Sequence, residues 1–152
     1  PGLTLPEQLG NRLGTEILNY GVSGDTTRDG LARLDDALEM KPRVVIILLG
    51  GNDFLKKIPR GETFANLEQI VTAFQRGGAI TVVVGVRSGI IGGGADDEFE
   101  ALAKKTGSVS VSDVLSGIFG HAELMSDAIH PNSVGYGRIA DRLAPLLLKY
   151  VK

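Results

Sequence analysis

Leucines 5, 9 and 13 recur every four residues in LPEQLGNRL, which places them on one face of a helix, and Pro6 suits its first turn. TEILNYG (residues 15–21) then reads as a short strand ending in glycine. In TTRDGLARLDDALEM (26–40), Leu31, Leu34 and Leu38 fall at the three- and four-residue steps of an amphipathic helix. The strand, turn and helix pattern recurs as RVVIILLGGND (43–53) followed by TFANLEQIVTAFQRGG (63–78). It returns as AITVVVGV (79–86) followed by ADDEFEALAKKTG (95–107). These middle strands are continuous runs of β-branched residues, the composition of strands buried on both faces of a parallel sheet. A last strand, SVSVSD (108–113), precedes a helix from about Asn132 to Tyr150. Alternating strands and helices predict one α/β domain over residues 1–152, a three-layer α/β/α sandwich around a parallel, flavodoxin-like sheet.

Composition narrows the function classes. A net charge of -2, with 16 basic and 18 acidic residues scattered along the chain, gives no electrostatic footprint for nucleic acid. The longest apolar run, VVIILL (44–49), is far short of the ~20 residues of a membrane-spanning helix. With no cysteine, neither a disulfide framework nor a thiolate metal site can be built. No signal-peptide pattern is visible in a chain that opens at Pro1 without a methionine.

In open parallel sheets the working residues gather on loops beyond the carboxyl ends of the strands. Three polar clusters fall there: Ser23-Gly24-Asp25-Thr26, Gly50-Gly51-Asn52-Asp53, and the loop from Asp127 to His130. An amide at Asn52, presented after an apolar strand and two glycines, suits a developing oxyanion, and the N–H of Gly24 can be a second donor. Asp127 can fix one tautomer of His130 and leave the other ring nitrogen to take a proton from a nucleophile. Each cluster also has a plainer reading: a turn for Gly-Gly-Asn-Asp, a helix cap at Thr26 or Thr27, and a polar loop in which Pro131 and Asn132 begin a helix. His121 has no acidic residue at the same spacing and reads as a surface or satisfied histidine. SGIIGGGADD (88–97) lacks the Gly-Lys-Ser/Thr of a phosphate loop and carries two aspartates, so it reads as a flexible loop.

Taken in order, NYGVSGDTTRDGLARL, VVIILLGGNDFL and LMSDAIHPNSVGYGRIADRL resemble the SGNH (GDSL) hydrolase family, in its branch of small bacterial arylesterases, lysophospholipases and thioesterases. The resemblance runs from about Glu16 to the C-terminus. It implies a cofactor-free, metal-free hydrolase of small acyl-ester, thioester or lysophospholipid substrates. His130 is implied as general base and acid, Asp127 as its orienting partner, and Gly24 and Asn52 as the oxyanion hole. The resemblance implies a periplasmic or secreted location, with a cytoplasmic one as the alternative, and leaves the oligomeric state open.

The family's first block, an apolar strand ending in Gly-Asp-Ser whose serine is the nucleophile, has no counterpart in these 152 residues. PGLTLPEQLGNRL resembles the loop and first helix that come just after that block. In the family that strand lies between the two that TEILNYG and VVIILL represent, and its loss would leave unpaired edges. The nucleophile is therefore expected outside this chain, on a preceding segment; a second chain or a rebuilt fold are the alternatives. Ser23 is close to the site in sequence, but its position belongs to the oxyanion turn. Two other function classes are a carbohydrate- or lipid-binding scaffold without a nucleophile, and a metal-dependent phosphoesterase using Asp25, Asp53, Asp127 and His130.

Overall fold

The computed structural model describes residues 2–86 and 95–152. In chain order the elements are helices α1 (Leu5–Leu13), α2 (Thr27–Ala32) and α3 (Leu34–Glu39), strand β1 (Val44–Ile47), helices α4 (Gly51–Leu55) and α5 (Arg60–Arg76), strand β2 (Ile80–Val84), helix α6 (Ala95–Thr106), strand β3 (Val109–Val111), a 3-10 turn (Ala122–Leu124) and helix α7 (Ser133–Val151). They form two compact units, Tyr20–Asp113, and Pro1–Asn19 with Val114–Lys152.

The unit Tyr20–Asp113 is built on a parallel sheet in the order β1-β2-β3. Val44 to Ile47 pair in register with Ile80 to Val83, and Val82 to Val84 with Val109 to Val111. Val82, Val83 and Val84 are all buried, as the unbroken β-branched run requires. Helices α5 and α6 turn Leu67, Ile70, Val71, Phe74, Phe99 and Leu102 onto Ile47 and Val83 to form the core, and the predicted stripe of Leu31, Leu34 and Leu38 packs at its margin. Full burial of one such side chain stabilises by roughly 1.5–3 kcal/mol.

Two predicted elements differ. The helix expected over 26–40 is broken at Arg33 (φ -107°, ψ 6°), whose guanidinium donates to Tyr20 O at 2.9 Å and Asp25 Oδ2 at 2.5 Å. The strand expected over 15–21 is absent: residues 16–20 enter no β-ladder, and Leu18 and Tyr20 are exposed. A strand exists through its hydrogen-bonded neighbour, and apolar composition alone cannot supply one.

In the other unit, α1 lies along α7. Leu9 and Leu13 are buried, as are Ile139, Leu143 and Leu147, which recur every four residues on α7. Glu7 accepts the Thr4 N–H at 2.7 Å and closes a capping box on α1. Gln8 Nε2 donates to Ser133 O at 2.7 Å, and Arg12 Nε to Asp141 Oδ1 at 2.7 Å. Gly137 leaves room for Gln8, whose Oε1 would stand 3.0 Å from a Cβ there. No helix among the described residues is long and apolar enough to cross a membrane.

Candidate active site

Asp127 and His130 share a loop that is closed at its base. Ser126 N–H donates to His130 O at 2.8 Å, Asn132 N–H donates to Leu124 O at 2.9 Å, and Met125 and Pro131 form an isolated antiparallel bridge. Asn132 then caps α7: its Oδ1 accepts the N–H groups of Val134 (2.9 Å) and Gly135 (3.0 Å), while its Nδ2 donates to Glu123 O at 2.9 Å. One side chain thereby fixes both the start of the helix and the approach to the loop. Gly135 permits this, because a Cβ there would lie 2.3 Å from Leu124 O.

Within the loop, Asp127 Oδ1 accepts the N–H groups of Ile129 and His130, each at 2.8 Å, and Oδ2 stands 2.9 Å from His130 Nδ1. The carboxylate is aimed by backbone donors before it meets the imidazole. A proton on Nδ1 satisfies the contact and leaves the lone pair on Nε2, the arrangement a general base needs. Both side chains are more than half exposed, so reactants can reach the ring.

The Ile129 N–H, then the His130 N–H and the His130 ring hold the Asp127 carboxyl at about 2, below the ordinary 3.8. A carboxylate depressed in this way stabilises the fold above its unfolded value, and that contribution is lost as pH falls from 3.8 through about 2. The Asp127 carboxyl carbon, followed by NMR, is therefore expected to titrate near 2. A midpoint at or above 3.8 would mean that the loop does not hold the carboxylate this way.

The Gly-Gly-Asn-Asp cluster is neither an open turn nor a simple loop. Gly50 takes φ 109°, a left-handed conformation suited to glycine, and the chain passes directly into the short helix α4. Asn52 Nδ2 donates to Asp25 O at 2.9 Å. That contact fixes which way the amide faces and occupies one of its two N–H donors, leaving the second for another acceptor. Gly24, at φ 87°, sits in the turn closed by Asp25 N–H to Val22 O (3.2 Å), and Lys56 Nζ donates to Gly24 O at 3.0 Å. Thr26 is the cap of α2, with Asp29 completing a capping box. The cap and the presentation of Gly24 therefore coexist in one short segment.

The acidic residues of the metal alternative are otherwise engaged. Asp25 pairs with Arg33. Asp53 is completely buried: its Oδ1 accepts the Thr27 and Thr63 hydroxyls at 2.5 and 3.1 Å, and its Oδ2 accepts the Thr27 N–H at 2.9 Å. Among the described residues, no group of three or more histidine or acidic side chains is placed to hold a metal ion. His121 is exposed as expected, but it does have an acidic neighbour, Glu123, 3.3 Å away at a two-residue spacing. The glycine-rich loop read over 88–97 lies outside the described residues except for Ala95 to Asp97, which open α6.

Residues 1–138 match the GDSL-like Lipase/Acylhydrolase family, and the chain belongs to that family. It is 30% identical over 140 residues to the esterase TesA of Pseudomonas aeruginosa, covering 86% of this chain and 69% of that one. It is 31% identical over 140 residues to the thioesterase 1/protease 1/lysophospholipase L1 of Escherichia coli K12, covering 88% of this chain and 67% of the relative. The fold is similar to the crystal structure of TesA, with a TM-score of 0.87 and 29% identity over 96% of this chain and 88% of that one.

Proposed function

We propose that this chain carries the base, its orienting acid and the oxyanion donors of a serine hydrolase that cleaves acyl esters and thioesters. The observation that carries this reading is the Asp127–His130 pair, whose carboxylate is fixed by two backbone N–H groups while His130 Nε2 has no hydrogen-bond partner among the described residues. A serine hydroxyl attacks the acyl carbonyl as Nε2 takes its proton. The tetrahedral intermediate collapses as Nε2 returns that proton to the leaving alcohol or thiol, and water repeats the cycle on the acyl-enzyme. The oxyanion receives the second Nδ2 N–H of Asn52 and the N–H of Gly24, which donates to no protein acceptor among the described residues. We assign the serine to a Gly-Asp-Ser strand outside these 152 residues, because no Gly-Asp-Ser occurs in them. The ester, thioester and lysophospholipid activities in the relatives' names support the substrate class.

Asn52→Ala tests the oxyanion assignment. In the enzyme complete with its serine, kcat is expected to fall by about 10² to 10³ with KM nearly unchanged, because the amide acts on the transition state and not on the bound ester. A change confined to KM would make Asn52 a substrate-binding residue.

A further inference from the structure

Asp53 is a buried acidic side chain that the mechanism above does not use, and two of the three donors it meets belong to Thr27, close in the chain to the proposed oxyanion donor Gly24. It follows Asn52 directly in α4. Its Oδ2 accepts the Thr27 N–H at 2.9 Å and its Oδ1 the Thr27 hydroxyl at 2.5 Å, both from the first residue of α2, three positions after Gly24. Thr63 on α5 donates to Oδ1 at 3.1 Å, and Asn66, one turn further along α5, donates its Nδ2 to the Thr27 hydroxyl at 3.0 Å. Thr27 has no exposed surface, and Thr63 and Asn66 are buried. The result is a relay from Asn66 through Thr27 to Asp53, closed by Thr63.

We infer that Asp53 is a positioning residue that clamps the two oxyanion arms, the Gly24–Asp25 turn and the Asn52 amide, to each other and to α5. The clamp works through geometry. Asn52 Nδ2 bonds Asp25 O at 2.9 Å and Lys56 Nζ bonds Gly24 O at 3.0 Å, both on the more exposed side of the same junction, and Asp53 is the fully buried side chain that joins α2 to α4 beneath them. Buried carboxylate hydrogen bonds are shorter and stronger than neutral ones and cannot be replaced by water at a closed site, so they tolerate little drift. Helix α5 supplies the rigid base, because Leu67, Ile70 and Val71 on the same helix are core residues. What the arms bind rests on the proposed hydrolase reading; that Asp53 holds them together does not.

Asp53→Asn keeps the size of the side chain but offers one acceptor oxygen where three donors now converge, so one of the Thr27 and Thr63 bonds must be lost or reversed. By NMR of the 152-residue chain, exchange of the Asn52 side-chain N–H with water is expected to accelerate at least tenfold, and the Gly24 and Thr27 amide signals to move. The His130 ring and the amides of α7 should keep their positions. Should Asp53→Asn unfold, Thr63→Val removes one donor to Asp53 and leaves Thr27 in place; a smaller change confined to the same signals is expected.

In the enzyme complete with its serine, Asp53→Asn is expected to lower kcat by at least tenfold at nearly constant KM. Its effect should be less than multiplicative with that of Asn52→Ala, because the Asn52 amide is one of the two donors that the clamp positions. Unchanged Asn52 and Gly24 signals in a folded variant would overturn the clamp, as would a loss spread evenly over α7. If the NMR changes appear without any effect on kcat, the clamp stands and the oxyanion role of the arms falls.

Discussion

In the enzyme complete with its serine, His130→Ala is expected to lower kcat by roughly 10⁴ to 10⁶, while His121→Ala leaves it within about twofold of the parent. The two histidines make a controlled comparison, because both are more than half exposed and each has a carboxylate within reach. What separates them is how the carboxylate is held. Asp127 is locked by the N–H groups of Ile129 and His130, and its loop is closed by Ser126, Asn132 and the Met125–Pro131 bridge. Glu123 reaches His121 at 3.3 Å, with more than two-thirds of its side chain exposed. An exposed pair of that kind is worth little and is easily replaced by water. Of the two, it is the His130 imidazole whose Nδ1 meets a carboxylate that the backbone has already aimed. Because Asp127 stays ionised down to about pH 2, the carboxylate should add no acid limb to the rate profile above that pH. Asp127→Asn should lower the rate without removing binding, through loss of the correct tautomer. Comparable losses at His121 and His130 would show that exposure, and not the loop, decides which histidine works.

The Asp-x-x-His pair was legible in the sequence because its geometry is local: three residues on one loop bring the carboxylate to the ring. The same holds for the start of α7 near Asn132, and for the buried β2, whose composition leaves few alternatives. Longer-range facts were not legible. TEILNYG has strand composition, but its pairing depends on a neighbour that local pattern does not specify. Gly-Gly-Asn-Asp reads as a turn, yet it forms the first turn of α4, because Asn52 and Asp53 each find a partner 26 or 27 residues back in the chain. Asp53 read as a possible metal ligand; its burial follows from Thr27 and Thr63, whose convergence only the fold reveals. A signal was present in hindsight: an aspartate just after a buried strand must find donors or leave the core, and threonines occur at 26, 27 and 63.

The central claim is that these residues serve a serine carried on a Gly-Asp-Ser strand, and covalent labelling tests it most directly. A base, an orienting acid and two oxyanion donors cannot form an acyl-enzyme alone, and removing a triad's nucleophile leaves only a small residual rate over water. The 152-residue chain is therefore expected to be nearly inert towards p-nitrophenyl acetate and unlabelled by a fluorophosphonate. A chain extended by an apolar strand ending in Gly-Asp-Ser should be labelled once, at that serine, and His130→Ala in it should abolish the labelling. The decisive measurement is mass spectrometry of the labelled peptide. The account predicts stoichiometric probe on the Gly-Asp-Ser serine and none elsewhere; stoichiometric probe on Ser23, Ser126 or any other serine of these 152 residues would contradict it.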